Sequence, residues 1–459
     1  MTKIAAYAPN SEIFELRLTR RLRPSEAELR KSEDHRLRPL RIPRSAIVVL
    51  LALVGCAGCT VTRAHTSAGR AYVADFDRLL WLIDHDYIYR NESGCDTKLL
   101  REELLPRALA ATSSKELLPV LEHAVECLHD HHVTFNTNLA ASTRLVPSGL
   151  QVWAEWQAGR AVVTQVRHAS AAWRAGIRRG DVVEAIDATP TAAAVERRMP
   201  CCVRGEHATE LVRQWALLAL LAGRHDRSIN LTLSRSGTTR QVNFDPRPDS
   251  SQTDTLQNVA WQRNPDGTGY ISVNNLGDTD TIVAFDAALA ELRDTSGLFL
   301  DLRNTPGGGY TDVAEPLLGR LIDRPRPYQR IEPMHGRMWL RRVAPRGPWQ
   351  YTRLVTVLVS RWTGSMGEGM AIGLDAMQRA RICGSRMAGL NGSVLDHTLR
   401  ATGLVVRLPA ERLSHLDGTP REAFLPPVRV EDAEAETATG RLEWISSSIA
   451  ACSNSKRPE

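Results

Sequence analysis

Lysine is almost absent from this chain. Of 58 basic residues in 459, only Lys3, Lys31, Lys98, Lys115 and Lys456 are lysines. None stands between residues 116 and 455, so chemistry carried by that stretch cannot use a lysine amine. Excess charge is missing from most of the chain as well. Residues 1–44 hold 11 Lys/Arg against 6 acids, a local +5 out of +6 for the whole. The remainder is close to neutral, which disfavours a nucleic-acid partner for the folded body. There is no internal repeat and no long low-complexity tract. The apolar run Ala46–Val54 falls short of the roughly 20 residues needed to span a bilayer. The cysteine spacings match no zinc pattern. What is present is ordinary for a globular protein, 43% apolar and 24% charged, with length enough for two or three domains.

The apolar run follows Arg41 and Arg44 and ends in Leu53-Val54-Gly55-Cys56. A basic stretch, a short apolar segment and small residues before a cut read as a secretory signal. Leu-Val-Gly-Cys resembles a bacterial lipobox, which implies lipidation of Cys56, a mature start there and a place on the periplasmic side of a bacterial envelope. A plain signal peptide or an uncleaved anchor is the alternative. Export puts the remaining seven cysteines in an oxidising compartment, and an odd number leaves at least one unpaired within the chain. No connectivity follows from spacing.

Residues 57–69 read as a polar tether. Over 70–144 the apolar residues Tyr72, Phe76, Leu79, Leu80 and Ile83 recur at helical spacing, and Thr112-Ser113-Ser114 offers a cap before Leu117, Leu118, Leu121 and Val125. Over 145–247 the period changes. Val162–Val166 reads as a strand and Ser170–Ile177 as a short helix. Gly180-Asp181 turns into a strand over Val182–Ile186, and a hairpin closes around Ser236-Gly237. The run Ala172-x-x-Ala175-Gly176-Ile177-x-x-Gly180-Asp181-Val182-Val183 resembles a PDZ domain. That resemblance implies that Ser148-Gly149-Leu150 would receive a peptide carboxylate on its backbone amides. Over 255–440 strands alternate with helices, as α/β folds do. Gly269–Val273, Gly297–Arg303 and Leu354–Ser360 are the apolar strands, and residues 441–459 are a polar tail.

Ser365 stands where the last of these strands gives way to a helix, in Thr363-Gly364-Ser365-Met366-Gly367-Glu368. A serine there is often only an N-cap. It is also where a hydroxyl is held off a rigid element beside free N–H groups that suit an oxyanion. Two motifs favour the second reading. Gly297-Leu-Phe-Leu-Asp-Leu-Arg303 runs into Asn304-Thr305-Pro306-Gly307-Gly308-Gly309, and some sixty residues later Thr356-Val-Leu-Val-Ser360 runs into Gly364-Ser365-Met366-Gly367-Glu368. Together they resemble the core of the tail-specific (C-terminal processing) serine peptidases, in their tricorn-core-like branch.

The resemblance implies an α/β, crotonase-like superhelical peptidase core preceded by the helical subdomain and the PDZ-like β-rich domain. It implies Ser365 as nucleophile, with an oxyanion hole from Gly307 or Gly308 and Met366. The stretch Gly384–Val394 resembles the segment where the bacterial processing branch carries its catalytic lysine, but Leu390 and Asn391 stand there, so a Ser–Lys dyad is nearly excluded by inventory. Leu128-His129-Asp130-His131-His132 resembles the tricorn-like base motif, which aligns His132 as general base and leaves His131 as a rival. His397 and His415 are further candidates. Glu422 aligns with the family's third member, and Glu368, three residues beyond Ser365, competes with it. A His-Asp-His-His run could bind metal, but no second ligand cluster follows from spacing, so no metal or other cofactor is expected. Partners are expected to be protein or peptide substrates, held by their C-termini. The alternative is an inactive PDZ-bearing scaffold for envelope proteins. A crotonase-like acyl-CoA enzyme would explain the Gly-rich loop but not the PDZ-like segment.

Overall fold

A computed structural model describes residues 67–200, 202, 206–247, 257–430 and the short stretches 446–447, 449–450 and 452–453. Cys56 and the lipobox lie outside them. The chain is mixed α/β, with three sheets.

The helical part begins with α1 (Ser67–His85) and continues through α2 (Arg90–Ser93), α3 (Thr97–Ala110) and α4 (Ser114–Glu126). Ser113 caps α4 as its sequence suggests, accepting from the Glu116 N–H. Phe76, Leu79, Leu82, Leu100, Leu104, Leu117 and Leu121 are fully buried between these helices. The same core takes in Leu399, Leu404, Val406 and Leu408 from far along the chain. That packing brings the end of α4 to residues 399–408.

Residues 152–244 form an antiparallel sheet ordered β2 (Val152–Gln157), β3 (Arg160–Val166), β4 (Val182–Ile186), β6 (Ile229–Arg235) and β7 (Thr238–Phe244), with the short β5 (Thr189–Pro190) on β4. Strand β2 is therefore an edge. The long helix Glu206–Ala222 packs beside it, with the Gln214 amide donating to the Ala154 carbonyl at 2.8 Å.

The largest core surrounds a sheet ordered β17 (Val428–Arg429), β14 (Ala380–Gly384), β13 (Leu354–Val359), β10 (Gly297–Asp301), β9 (Gly269–Val273) and β8 (Val259–Arg263). All pairs are parallel except β8 with β9. Strands β9, β10 and β13 are apolar nearly throughout, as expected of parallel strands covered on both faces.

A third sheet has no counterpart in the sequence reading. It is ordered β1 (Thr134–Phe135), β16 (Val405–Ser414), β11 (Arg326–Pro333) and β12 (Trp339–Val343), with β15 (Ser393–Thr398) also on β16. Thr134 pairs with Arg407 and Phe135 with Val406. This register pins the residues just before Thr134 beside β16. Two disulfides, Cys127–Cys202 and Cys383–Cys452, add long-range ties. Cys95 is free, and its sulfur lies within 4.8 Å of both members of the first pair.

Candidate active site

The loop after β13 is stitched onto the loop after β10. Thr363 Oγ1 donates to the Leu302 carbonyl at 2.8 Å, and the Gly364 N–H donates to the Thr305 carbonyl at 2.9 Å. Gly364 has to be glycine, because a Cβ would stand 2.6 Å from the Pro306 carbonyl oxygen. Ser365 follows, as N-cap of the helix Met366–Ala376, at φ 51° and ψ −113°. A positive φ on a serine is strained, and such strain persists where surrounding structure enforces it. The Gly307-Gly308 turn, at φ 132° and 74°, faces the serine: a Cβ on Gly307 would lie 3.6 Å from the Ser365 Cβ. Met366 is the first residue of the helix, so its N–H has no acceptor within the helix.

His132 reaches this point from 233 residues away in sequence. Its Nε2 is 3.0 Å from Ser365 Oγ, and its Nδ1 is 2.5 Å from the main-chain carbonyl of Asn391. A carbonyl only accepts, so Nδ1 carries the proton and Nε2 presents its lone pair to the serine. The ring is 9% exposed. Burial, and then the Arg421 charge, push it down to about 4, so the imidazole is neutral at pH 7.

Residues 267–425 match the family model described as Peptidase family S41. This stretch is a domain of the S41 peptidase type. It is a serine-type peptidase. The fold is similar to that of mature CPAF, with a TM-score of 0.53 at 16% identity over 79% of this chain and 93% of that one. It is also similar to the photosystem II D1 C-terminal processing protease, with a TM-score of 0.51 at 20% identity over 84% and 98%. None of the curated proteins compared matches the chain.

Within this S41 core the other candidate bases sit elsewhere. His131 stacks on Trp215, with ring centroids 5.9 Å apart. His397 lies 3.9 Å from Asp86. His415 pairs with Asp375 at 3.5 Å and Asp417 at 3.0 Å.

Two sequence expectations need correction. Neither carboxylate named as third member meets His132. Glu422 Oε1 instead accepts from the Tyr89 hydroxyl at 3.1 Å. Glu368 is fully buried and serves main-chain donors: the N–H groups of Ser365 at 2.7 Å, Gly389 at 2.8 Å and Leu390 at 3.3 Å. The second correction concerns Ser148-Gly149-Leu150. Gly149 N–H donates to the Leu145 carbonyl at 2.6 Å and Leu150 N–H to Pro147 at 3.0 Å. Those amides are therefore committed and do not form a carboxylate cradle. The loop instead braces the core: Trp362 Nε1 donates to the Leu150 carbonyl at 2.8 Å, and Arg167 joins the Ser148 carbonyl to Asn304 Oδ1.

Arg421 is the site residue that sequence reasoning missed. It is 3% exposed and donates to the carbonyls of Ser365 at 3.3 Å, Leu390 at 2.8 Å and Gly392 at 2.6 Å. With Glu368 it clamps the Ser365 turn to the loop that carries Asn391. Its only signal was its place beside Glu422, and an arginine bonded to main-chain carbonyls leaves no spacing pattern.

Proposed function

We propose that this chain is an exported, lipid-anchored serine endopeptidase that works through a Ser365 acyl-enzyme with His132 as general base. The observation that carries the reading is the 3.0 Å contact between His132 Nε2 and Ser365 Oγ, made at a strained strand–helix junction. Nε2 takes the hydroxyl proton as Oγ attacks the scissile carbonyl, then returns it to the leaving amine. The N–H of Met366 and one from Gly307 or Gly308 receive the developing oxyanion, aided by the positive end of the helix. Water then hydrolyses the acyl-enzyme by the same proton path. No lysine is needed.

Residues 145–247 serve in this reading as a PDZ-like domain. Its edge strand β2 and the helix Glu206–Ala222 bound a groove suited to an extended segment added to the sheet. With the Gly149 and Leu150 amides already bonded, recognition there falls on main-chain pairing along β2.

Labelling of the mature protein with a fluorophosphonate tests the nucleophile and base together. Ser365→Ala abolishes labelling, and His132→Ala slows it by orders of magnitude, with a double variant little worse than either in turnover. Unchanged proteolysis by Ser365→Ala refutes the reading. Export is tested by mass: the membrane fraction should hold a chain starting at diacylglyceryl-Cys56. Full-length chain in the cytoplasm, with residues 1–55 attached, refutes it.

A further inference from the structure

Behind the base lies a carboxylate that the mechanism above does not use. Asp130 is 7% exposed, and a charge so buried is retained only with good partners. It has three. Its Oδ1 accepts the His132 main-chain N–H at 2.8 Å. Its Oδ2 accepts the Tyr87 hydroxyl at 2.9 Å and the Asn391 side-chain amide at 3.0 Å. The donors come from the turn after α1, from the base turn itself and from the loop before β15. Asn391 is also the residue whose main-chain carbonyl takes the Nδ1–H of His132.

Three of these contacts close a ring. It runs from the His132 backbone to Asp130, on to the Asn391 side chain, through the Asn391 backbone, and back to the His132 imidazole. Asp130 thus holds both ends of the bond that orients the base. We propose that Asp130 and Asn391 are positioning residues for His132, doing jointly what a carboxylate bonded straight to Nδ1 does in a Ser-His-Asp triad. The proposal rests on the Ser365–His132 reading and adds to it how the base is aimed.

The physical need is specific. A main-chain carbonyl is a good acceptor for Nδ1–H, but a loop carbonyl can swing out of line. Glu368 and Arg421 fix the loop on the nucleophile side, through residues 389, 390 and 392. The Asn391 side chain ties it, through Asp130, to the backbone of the turn that carries His132. Releasing that tie leaves the loop in place relative to Ser365 and lets the imidazole rotate away. Misplacement on the order of 1 Å costs about 100-fold in rate.

The test uses the mature chain and measures casein turnover together with fluorophosphonate titration, so that rate is expressed per competent site. Asn391→Ala and Asp130→Asn should each lower kcat by about 10- to 100-fold, with KM within about twofold, since the loss falls on the chemical step. The number of titratable sites should be unchanged. The double variant should be no more than a few-fold worse than the worse single one, because both residues serve one bond. Tyr87→Phe, which removes one donor from Asp130 and keeps the ring, should give a smaller loss in the same direction and covers the case in which a variant at Asp130 fails to fold. Fewer titratable sites at an unchanged rate per site would mean a merely structural role and overturn the proposal, as would unaltered kcat in Asn391→Ala. Full turnover by Ser365→Ala is a different failure and would remove the dyad on which this inference stands.

Discussion

Glu368→Gln separates what stabilises the site from what makes it work. The carboxyl of Glu368 is 0% exposed, and burial pushes it up from 4.5 to about 7, although Arg421 and three main-chain N–H donors pull the other way. A displacement of that size favours the neutral form by roughly 3 kcal/mol. The folded value lies above the unfolded one, so the stability contributed by the neutral acid is fully present below about pH 4.5 and is lost as pH rises through about 7. Glutamine has nearly the same shape and never ionises. The stability of Glu368→Gln relative to wild type should therefore improve by roughly 3 kcal/mol between pH 4.5 and pH 8. Its function should move the other way. Three N–H groups, from Ser365, Gly389 and Leu390, face the two carboxylate oxygens. In glutamine one of those oxygens becomes an NH2 that cannot accept, so the nucleophile's turn and the Asn391 loop lose a tie and turnover per folded molecule falls. Urea titrations of both proteins at pH 4.5 and pH 8, with turnover at pH 8, measure the two effects. A stability difference that is the same at both pH values, or that moves against glutamine as pH rises, refutes the argument.

Two further predictions concern the backbone and the sulfurs. Ser365→Gly and Ser365→Ala should both be inactive, but glycine should be the more stable by about 1 kcal/mol or more, because alanine keeps a Cβ at φ 51° and glycine does not. At ordinary helical positions the order is the reverse, so urea midpoints that place alanine above glycine would show that Ser365 holds no strain. A peptide map under non-reducing conditions should contain Cys127–Cys202 and Cys383–Cys452. Cys95, whose thiol burial pushes up to about 12, should alkylate only on unfolding; a map that pairs Cys95 refutes the assignment.

The parts of the fold that are legible in the sequence are those whose residues are decided locally. Gly269–Val273, Gly297–Asp301 and Leu354–Val359 read as buried strands because both of their faces are covered. Ser113 reads as a cap because its partner is three residues on. The third sheet does not read at all. Strand β11 holds Pro327, Arg330 and Pro333, and β16 holds Arg407, Pro409 and Arg412, so neither shows clean alternation. Yet it is this sheet, through Thr134–Arg407 and Phe135–Val406, that carries His132 to Ser365. The site divides in the same way. Ser365 is marked by the strand–helix junction and His132 by a short motif, whereas Glu422 was aligned on its neighbours and turns to Tyr89 instead. Asn391 could not be found from its residue type, because the atom that meets His132 belongs to the backbone.

The site concentrates unfavourable choices in one connected group. Glu368 is a buried carboxyl pushed up to about 7, Asp130 another pushed up to about 6, and His132 an imidazole pushed down to about 4. Ser365 adds a strained backbone. None of these would be kept for stability, since a well-packed apolar set of similar volume would cost less. What they share is connection. Glu368 and Arg421 bond the nucleophile's turn to residues 389–392, and Asp130 bonds those residues to the base turn. Ser365 and His132 come from segments 233 residues apart, and no element of secondary structure contains both. Apolar packing brings the two segments together but does not fix a hydroxyl and an imidazole to within tenths of an ångström, because it is not directional. Hydrogen bonds to charged groups are directional and are strongest in a dry interior. In a chain with no lysine between residues 116 and 455, that polar clamp, anchored on Glu368, Arg421 and Asp130, is the means by which a distant histidine is held in line.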